Sequence, residues 1–227
     1  LADVQYPNKD GIHINSSRDV SVANCVIETG DDSIIVRANN RSLKEKKVCE
    51  RVTVANCQLR SYAKCIRLGW SADGVIRNCT FSNLTMRDSS AGIGIELVPI
   101  DWNPAGDFGV EKTRVENILF SNIVMDRIHG RPFSVKAYQP ETCGAVRNIS
   151  FSNLFVRSAE IPVFHGLAEC PLENFTFTGC RFILSSAPDV RAPWEKPPSD
   201  EKPSPGGNPF FHCRNFTFND STFGDVE

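Results

Sequence analysis

The 227-residue sequence lacks several features that common function classes need. No apolar run approaches the roughly 18 residues of a membrane-spanning helix. Neither charge is in excess: a net charge of -2 and a pI near 6.1 offer no basic face to nucleic acid or to an anionic membrane, so neither is expected as a partner. The nine cysteines include no Cys-x-x-Cys pair and no His at zinc-finger spacing, so no metal site is expected. Their odd number leaves at least one thiol unpaired or paired between chains. The chain opens Leu1-Ala2-Asp3-Val4, without Met or a signal-like segment, and its N-terminus leaves the compartment unread. Helical periodicity is absent as well.

What is present is a repeat. Val20-Ser21-Val22-Ala23-Asn24-Cys25 returns as Val52-Thr53-Val54-Ala55-Asn56-Cys57. Related phrases begin at Asn78, Asn117, Asn148, Asn174 and Asn215. The Asn positions 24, 56, 83, 122 and 153 are 32, 27, 39 and 31 residues apart, which describes a fixed unit with loops of differing length. Each phrase alternates as a strand does, with β-branched and aromatic residues dominant. Short strand, Asn bend and short strand, repeated, predict an all-β solenoid: a right-handed parallel β-helix, as a single domain over 1–227. Asn suits the bend because it tolerates the left-handed region and its amide can bond along a stack of amides. An immunoglobulin-like sandwich does not explain a phrase recurring with Asn at one place.

A second alternating run follows each phrase, and stacking these runs gives columns. Ile12, Ile34, Ile66, Ile93, Phe133 and Val163 form one apolar column. Ile14, Val36, Leu68, Ile95 and Val135 form the other, ending at His165, expected as a buried histidine. Asp10, Asp32, Lys64, Ala91 and Arg131 are expected to face outward, as are His13, Ile35, Arg67, Gly94, Ser134 and Phe164. Asp10 and Asp32 then sit on adjacent coils about 4.8 Å apart, with Asp31 offset beside them and Lys64 one coil on, placed to balance the acids.

Tight turns also use Asp-Gly and Gly-Asp, but turn chemistry does not ask for a second acid in register. Trp70, Trp102 and Tyr138 are candidates for stacking on sugar rings. Arg37, Arg41, Lys44, Lys46 and Lys47 make a basic segment suited to steering an anionic polymer. Cys25, Cys57 and Cys180 read as core thiols, while Cys49, Cys143, Cys170 and Cys213 lie nearer loops, where a Cys143–Cys170 bridge would clasp one coil. Among the Asn-x-Ser/Thr sequences, Asn15 and Asn40 lie outside the repeat phrase and are the glycan candidates. Prolines crowd 187–209, predicting an extended excursion before a last phrase, Cys213 to Phe223, that caps the helix end.

Asn8-Lys9-Asp10-Gly11 and Gly30-Asp31-Asp32, with Asp10 and Asp31 21 positions apart, resemble the Asn-Thr-Asp-Gly and Gly-Asp-Asp motifs of glycoside hydrolase family 28, the polygalacturonases and their relatives. The resemblance implies inverting hydrolysis of a pectin-type polysaccharide without a cofactor, in a secreted, periplasmic or cell-surface setting. It implies Asp31 as general acid and Asp10 with Asp32 as the pair that activates water. Inverting enzymes separate acid and base by about 6.5–9.5 Å, a gap expected here from the offset of Asp31.

The departures from the family pattern are as informative. The family's Gly-His-Gly falls on Ala63-Lys64-Cys65, and its carboxylate-gripping Arg-Ile-Lys falls on Gly94-Ile95-Glu96. Lys64, Arg67, Lys136, Trp70 and His13 are therefore expected to contact substrate, with Glu96 accepting from neutral sugar hydroxyls. A rhamnogalacturonan-type polymer fits this set better than plain polygalacturonate. Family members carry coils ahead of the first acidic motif, which here begins at Asn8. This implies that N-terminal coils are missing from this sequence or are supplied by the same or another chain. A non-catalytic β-helix that binds polysaccharide or serves as structure is the alternative, and a β-helical polysaccharide lyase a further one.

Overall fold

The computed structural model describes residues 8–100, 111–185 and 209–225. Trp102 and most of the proline-rich stretch lie outside them. Two all-parallel sheets run the length of a coil stack, a parallel β-helix. The first contains β1 (Ile12–Asn15), β4 (Ile34–Arg37), β7 (Lys64–Leu68), β9 (Ala91–Leu97), β11 (Phe133–Ala137), β13 (Val163–His165) and β16 (Phe210–Phe211), paired in that order. The second contains β2 (Arg18–Ala23), β3 (Val26–Thr29), β5 (Cys49–Ala55), β6 (Gln58–Ser61), β8 (Val75–Ser89), β10 (Thr113–Ile128), β12 (Cys143–Ser158), β14 (Leu172–Thr178), β15 (Arg181–Leu184), β17 (Cys213–Asn219) and β18 (Thr222–Asp225). Thus β17 and β18 continue the stack by pairing β14 and β15.

The corners explain the repeat phrase. Two asparagine ladders climb the stack, each rung bonding the next amide. Asn24, Asn56, Asn83, Asn122 and Asn153 are linked at 3.1–3.3 Å. Asn78, Asn117, Asn148, Asn174 and Asn215 are linked at 2.9–3.0 Å. Every rung has φ between 54° and 59°, the left-handed region that Asn enters at least cost among residues with a side chain. Beside the second ladder runs a column of alternating charge in register: Arg18, Glu50, Arg77, Glu116, Arg147, Glu173 and Arg214. The arginines are largely exposed while Glu50 and Glu116 are buried, and each coil meets the opposite sign only in this register.

Aromatic rings continue the ladder inside. Phe81, Phe120, Phe151, Phe177 and Phe218 stack at centroid distances of 4.7–5.1 Å, each pair adding about 0.5–1.5 kcal/mol beyond area burial. The apolar columns of the first sheet form as expected through Phe133 and Val135. Burying each such side chain contributes roughly 1.5–3 kcal/mol.

The sixth coil differs by one residue. Val135 pairs Phe164 and Lys136 pairs His165, so Phe164 enters the core and His165 turns outward; a one-residue slip exchanges faces. Phe164 stacks on Phe210 at 5.5 Å and meets Phe175 and Phe177 edge-on, contacts that Val163 is too small to make. Ile35 is a second correction: it is fully buried on the outer face, between His13 and Arg67 in register and outside the main core cluster.

Cys143 and Cys170 form the disulfide, with Cα atoms 6.1 Å apart. Cys49 and Cys213, placed with the disulfide formers, are free thiols; Cys49 is in the core, and Cys213 donates to the Phe164 carbonyl at 3.3 Å. Cys57 and Cys180 are buried as expected, and Cys25 is only partly covered. The amides of Asn15 and Asn40 are both engaged, with the Asn39 backbone and with Glu111 and Lys47 respectively.

Candidate functional site: a carboxylate triad on adjacent coils

Asp10 precedes β1, and Asp31-Asp32 precedes β4, so the parallel pairing of these strands brings the acids together. Gly11 donates its N–H to the Asp32 carbonyl at 2.9 Å, and Asp31 donates its own to the Lys9 carbonyl at 3.2 Å. From the inner side, Ser61 Oγ donates to the Asp31 carbonyl at 2.7 Å. The Asp31 carboxylate accepts from the Asp32 N–H at 2.9 Å. Gly11 is needed for close approach: a Cβ there would collide with the Ser33 carbonyl oxygen.

One carboxylate oxygen from each of Asp10, Asp31 and Asp32 lies within 4.8 Å of the other two. These are nearest oxygens, so they show a close grouping and do not measure the roughly 6.5–9.5 Å between carboxyl groups that inversion uses. The offset turns the Asp31 backbone aside and leaves its carboxylate next to the others. Oxygens this close can share a cation, but acidic groups commonly cluster without one, and a guanidinium already serves Asp32.

Asp32 is 1% exposed. Its Oδ1 accepts the Lys64 backbone N–H at 3.0 Å. Its Oδ2 lies 2.7 Å from Arg67 Nε, although neither atom finds a hydrogen-bond partner of acceptable geometry. The contact is an ion pair at short range rather than an aligned bond. Burial pushes the Asp32 carboxyl up to about 6, against the opposing pull of Arg67 and then Lys64. Burial and then the charge of Asp31 raise Asp10. Burial, then Arg37, lowers His13, favouring a neutral imidazole beside the acids.

The other expected contacts divide. Arg67 lies over the Trp70 ring at 4.5 Å, so Trp70 supports the cation against Asp32. Lys64 pairs its Nζ with Glu96 Oε2 at 3.2 Å and balances the acids at longer range, its charge opposing the effect of burial on Asp32 after that of Arg67. Glu96 Oε1 accepts from Ser134 Oγ at 2.6 Å, so each of its oxygens has one protein partner and a second lone pair to spare for a sugar hydroxyl. Lys136 is in register with Glu96 on the next coil. Arg37, read as part of a steering segment, instead makes a two-pronged pair with fully buried Asp73, its closest contact 2.6 Å. No periodicity marks Asp73, which sits in a loop.

A cleft of about 380 Å³ opens beside His13, walled by Asn15, Asn39, Arg41 and Leu43. A smaller cavity of about 160 Å³, between Ile161 and Phe223, is at the other end of the stack, far from this chemistry.

Fold and site together define a parallel β-helix with a carboxylate triad on one sheet face, and the proteins it is similar to are polygalacturonases. No protein-family model matches the chain. It is similar to a polygalacturonase of Gossypium barbadense, 25% identical over 143 residues that cover 52% of this chain and 35% of that protein. It is also similar to a polygalacturonase of Brassica napus, 31% identical over 128 residues, 56% of this chain and 29% of that protein. An exopolygalacturonase of Zea mays is 25% identical over 142 residues, covering 52% and 35%. The chain therefore spans about a third of the length of these curated relatives.

Proposed function

We propose that the chain carries the catalytic face of a glycoside hydrolase acting on pectin-type, galacturonic acid-containing polysaccharides. The observation that supports this reading is the convergence of three carboxylates from two adjacent coils, one of them buried against a guanidinium. Asp31 protonates the leaving glycosidic oxygen, and Asp10 with Asp32 takes a proton from the attacking water. After burial, the charge of Asp31 raises the carboxyls of Asp10 and Asp32. Replacement of both family cations at Gly94 and Glu96 favours a branched, rhamnogalacturonan-type polymer over plain polygalacturonate.

Inversion is the outcome implied by the family resemblance. A retaining course, in which one carboxylate acts as nucleophile, is the other stereochemical outcome open to a carboxylate pair. Proton NMR of the first-formed reducing end separates them, since an inverted anomer requires direct attack by water. The activity itself is tested by new reducing ends from a panel of pectic oligosaccharides, with rhamnogalacturonan fragments included. Asp31→Asn is expected to abolish them while leaving binding intact. A folded chain that releases none, with or without upstream coils attached, is the non-catalytic binding module.

A further inference from the structure

A second cluster of charge lies on the same sheet face, two to three coils from Asp32, which is about 10–14 Å along the axis at ~4.8 Å per coil. It is built around Gly94. A Cβ at that position would stand 2.5 Å from Lys64 Cδ and 2.8 Å from Cε, closer than van der Waals contact permits. The Lys64 stem thus fills the space over Gly94, and a side chain there would push its flexible end off the path from the start of β7 to β9. At the end of that path its ammonium meets Glu96 at 3.2 Å. Glu96 is fixed in turn by the Ser134 hydroxyl of the following coil at 2.6 Å. One carboxylate thus has a partner on each oxygen and its charge matched.

Lys136 is the surplus. It stands in register with Glu96 and makes no ion pair of its own among the described residues. The neighbouring Arg131 is already paired with Glu160 at 2.9 Å. Two ammonium groups around one satisfied carboxylate leave one net positive charge in this cluster. Partial burial and the repulsion of Arg131 and Lys64 pull the Lys136 ammonium down, so the positive charge there is crowded, and an incoming anion relieves it. Tyr138 adjoins the cluster, its phenol pushed up to about 12 by burial and then by Glu96; it stays a neutral donor.

We propose that Lys64 and Lys136 form a distal subsite that takes the carboxylate of an acidic sugar residue, with Glu96 and Gly94 as the positioning residues that deliver Lys64. The proposal rests on the reading of this face as a polysaccharide groove. It moves recognition of substrate charge from the fourth coil to cations that enter from the third and fifth.

The test is calorimetric and does not depend on cleavage. Binding of an oligogalacturonide by the intact chain is compared with binding of the same oligosaccharide after its carboxyl groups are reduced to alcohols. The acidic ligand is expected to bind about tenfold tighter, the scale of one charge-assisted hydrogen bond, with the margin shrinking as salt rises. Lys136→Gln is expected to remove most of the margin, and Lys64→Gln gives an independent second variant. Equal affinity for the two ligands in the unaltered chain overturns the subsite, as does a margin that survives both substitutions. The two readings fail separately: reducing ends released without acidic preference sink only the subsite, and acidic preference without reducing ends sinks only the hydrolase.

Discussion

Arg67 and Asp32 stand 2.7 Å apart, Nε against Oδ2, across adjacent coils. Asp32 is almost wholly removed from solvent, and its carboxyl titrates near 6 even with Arg67 opposing the effect of burial. A base must be ionised to take a proton from water. Activity should therefore fall as pH drops through about 6, where Asp32 gains a proton. Removing the guanidinium removes a charge that favours the ionised form. Arg67→Met is thus expected to move the acid limb of kcat/KM to higher pH and to lower kcat/KM at pH 7. The measurement is the pH profile of both proteins, with the limb assigned to the triad as a unit. A limb that stays in place excludes Asp32 as the titrating base.

The Arg37–Asp73 pair yields a stability prediction. Asp73 is fully buried, and two nitrogens of Arg37 bind it. Removing one partner leaves the other charge buried and alone, at a cost of about 3–5 kcal/mol. Arg37→Met should lower the denaturation midpoint by that scale, and Arg37→Met with Asp73→Leu should recover much of the loss. Full stability in the single variant contradicts a structural role for Arg37 and returns it to the polymer-steering segment.

These two ion pairs show how unevenly the sequence could be read. The columns from Ile12 to Phe133 were legible because strict alternation allows one register. At the sixth coil Val163 and Phe164 are both apolar, so alternation tolerates two registers, and ring stacking from Phe210 selects between them. Convergence of Asp10, Asp31 and Asp32 followed from two motifs in register. Their closeness did not, because spacing fixes Cα positions and leaves carboxylate rotamers open. The direction of Lys64 was hidden because it depends on a glycine and a carboxylate some thirty residues downstream. Asp73 carried no pattern, since its partner lies 36 residues away.

The Cys143–Cys170 bridge closes 27 residues, one coil of the stack. Chain-entropy reasoning gives about 3.5 kcal/mol for a loop of this size. Cys143→Ser with Cys170→Ser should lower stability by about that amount and leave the triad, several coils away, unchanged in activity on short substrates. The check is denaturant midpoint and reducing-end assay on the same preparation.

An asparagine rung offers a test of the corner. Asn122 holds φ at 54° and bonds both Asn83 and Asn153. Ala pays about 1–2 kcal/mol for the left-handed backbone and forfeits two amide bonds of roughly 0.5–1.5 kcal/mol each. Gly restores the backbone freedom without the bonds. Asn122→Ala is therefore expected to cost more than Asn122→Gly, with denaturation midpoints as the readout. Equal losses in the two variants locate the role of the ladder in its amides alone.

Gly11 separates a turn reading of the first motif from a catalytic one. A simple Asp-Gly turn would use glycine for its dihedral freedom, but Gly11 is absent from the glycines with positive φ. Its requirement is space, because a Cβ would strike the Ser33 carbonyl of the next coil. Overpacking of this kind costs typically about 1–3 kcal/mol. Relief requires the strand start to shift, and Asp10 is the residue that moves with it. Displacing a reacting group by about 1 Å can cost on the order of 100-fold in rate. Gly11→Ala should therefore lose far more in kcat than its modest drop in denaturation midpoint suggests, while affinity for a non-cleaved oligosaccharide changes little. A variant with the same fall in stability but undiminished kcat places the reacting carboxylates away from Asp10.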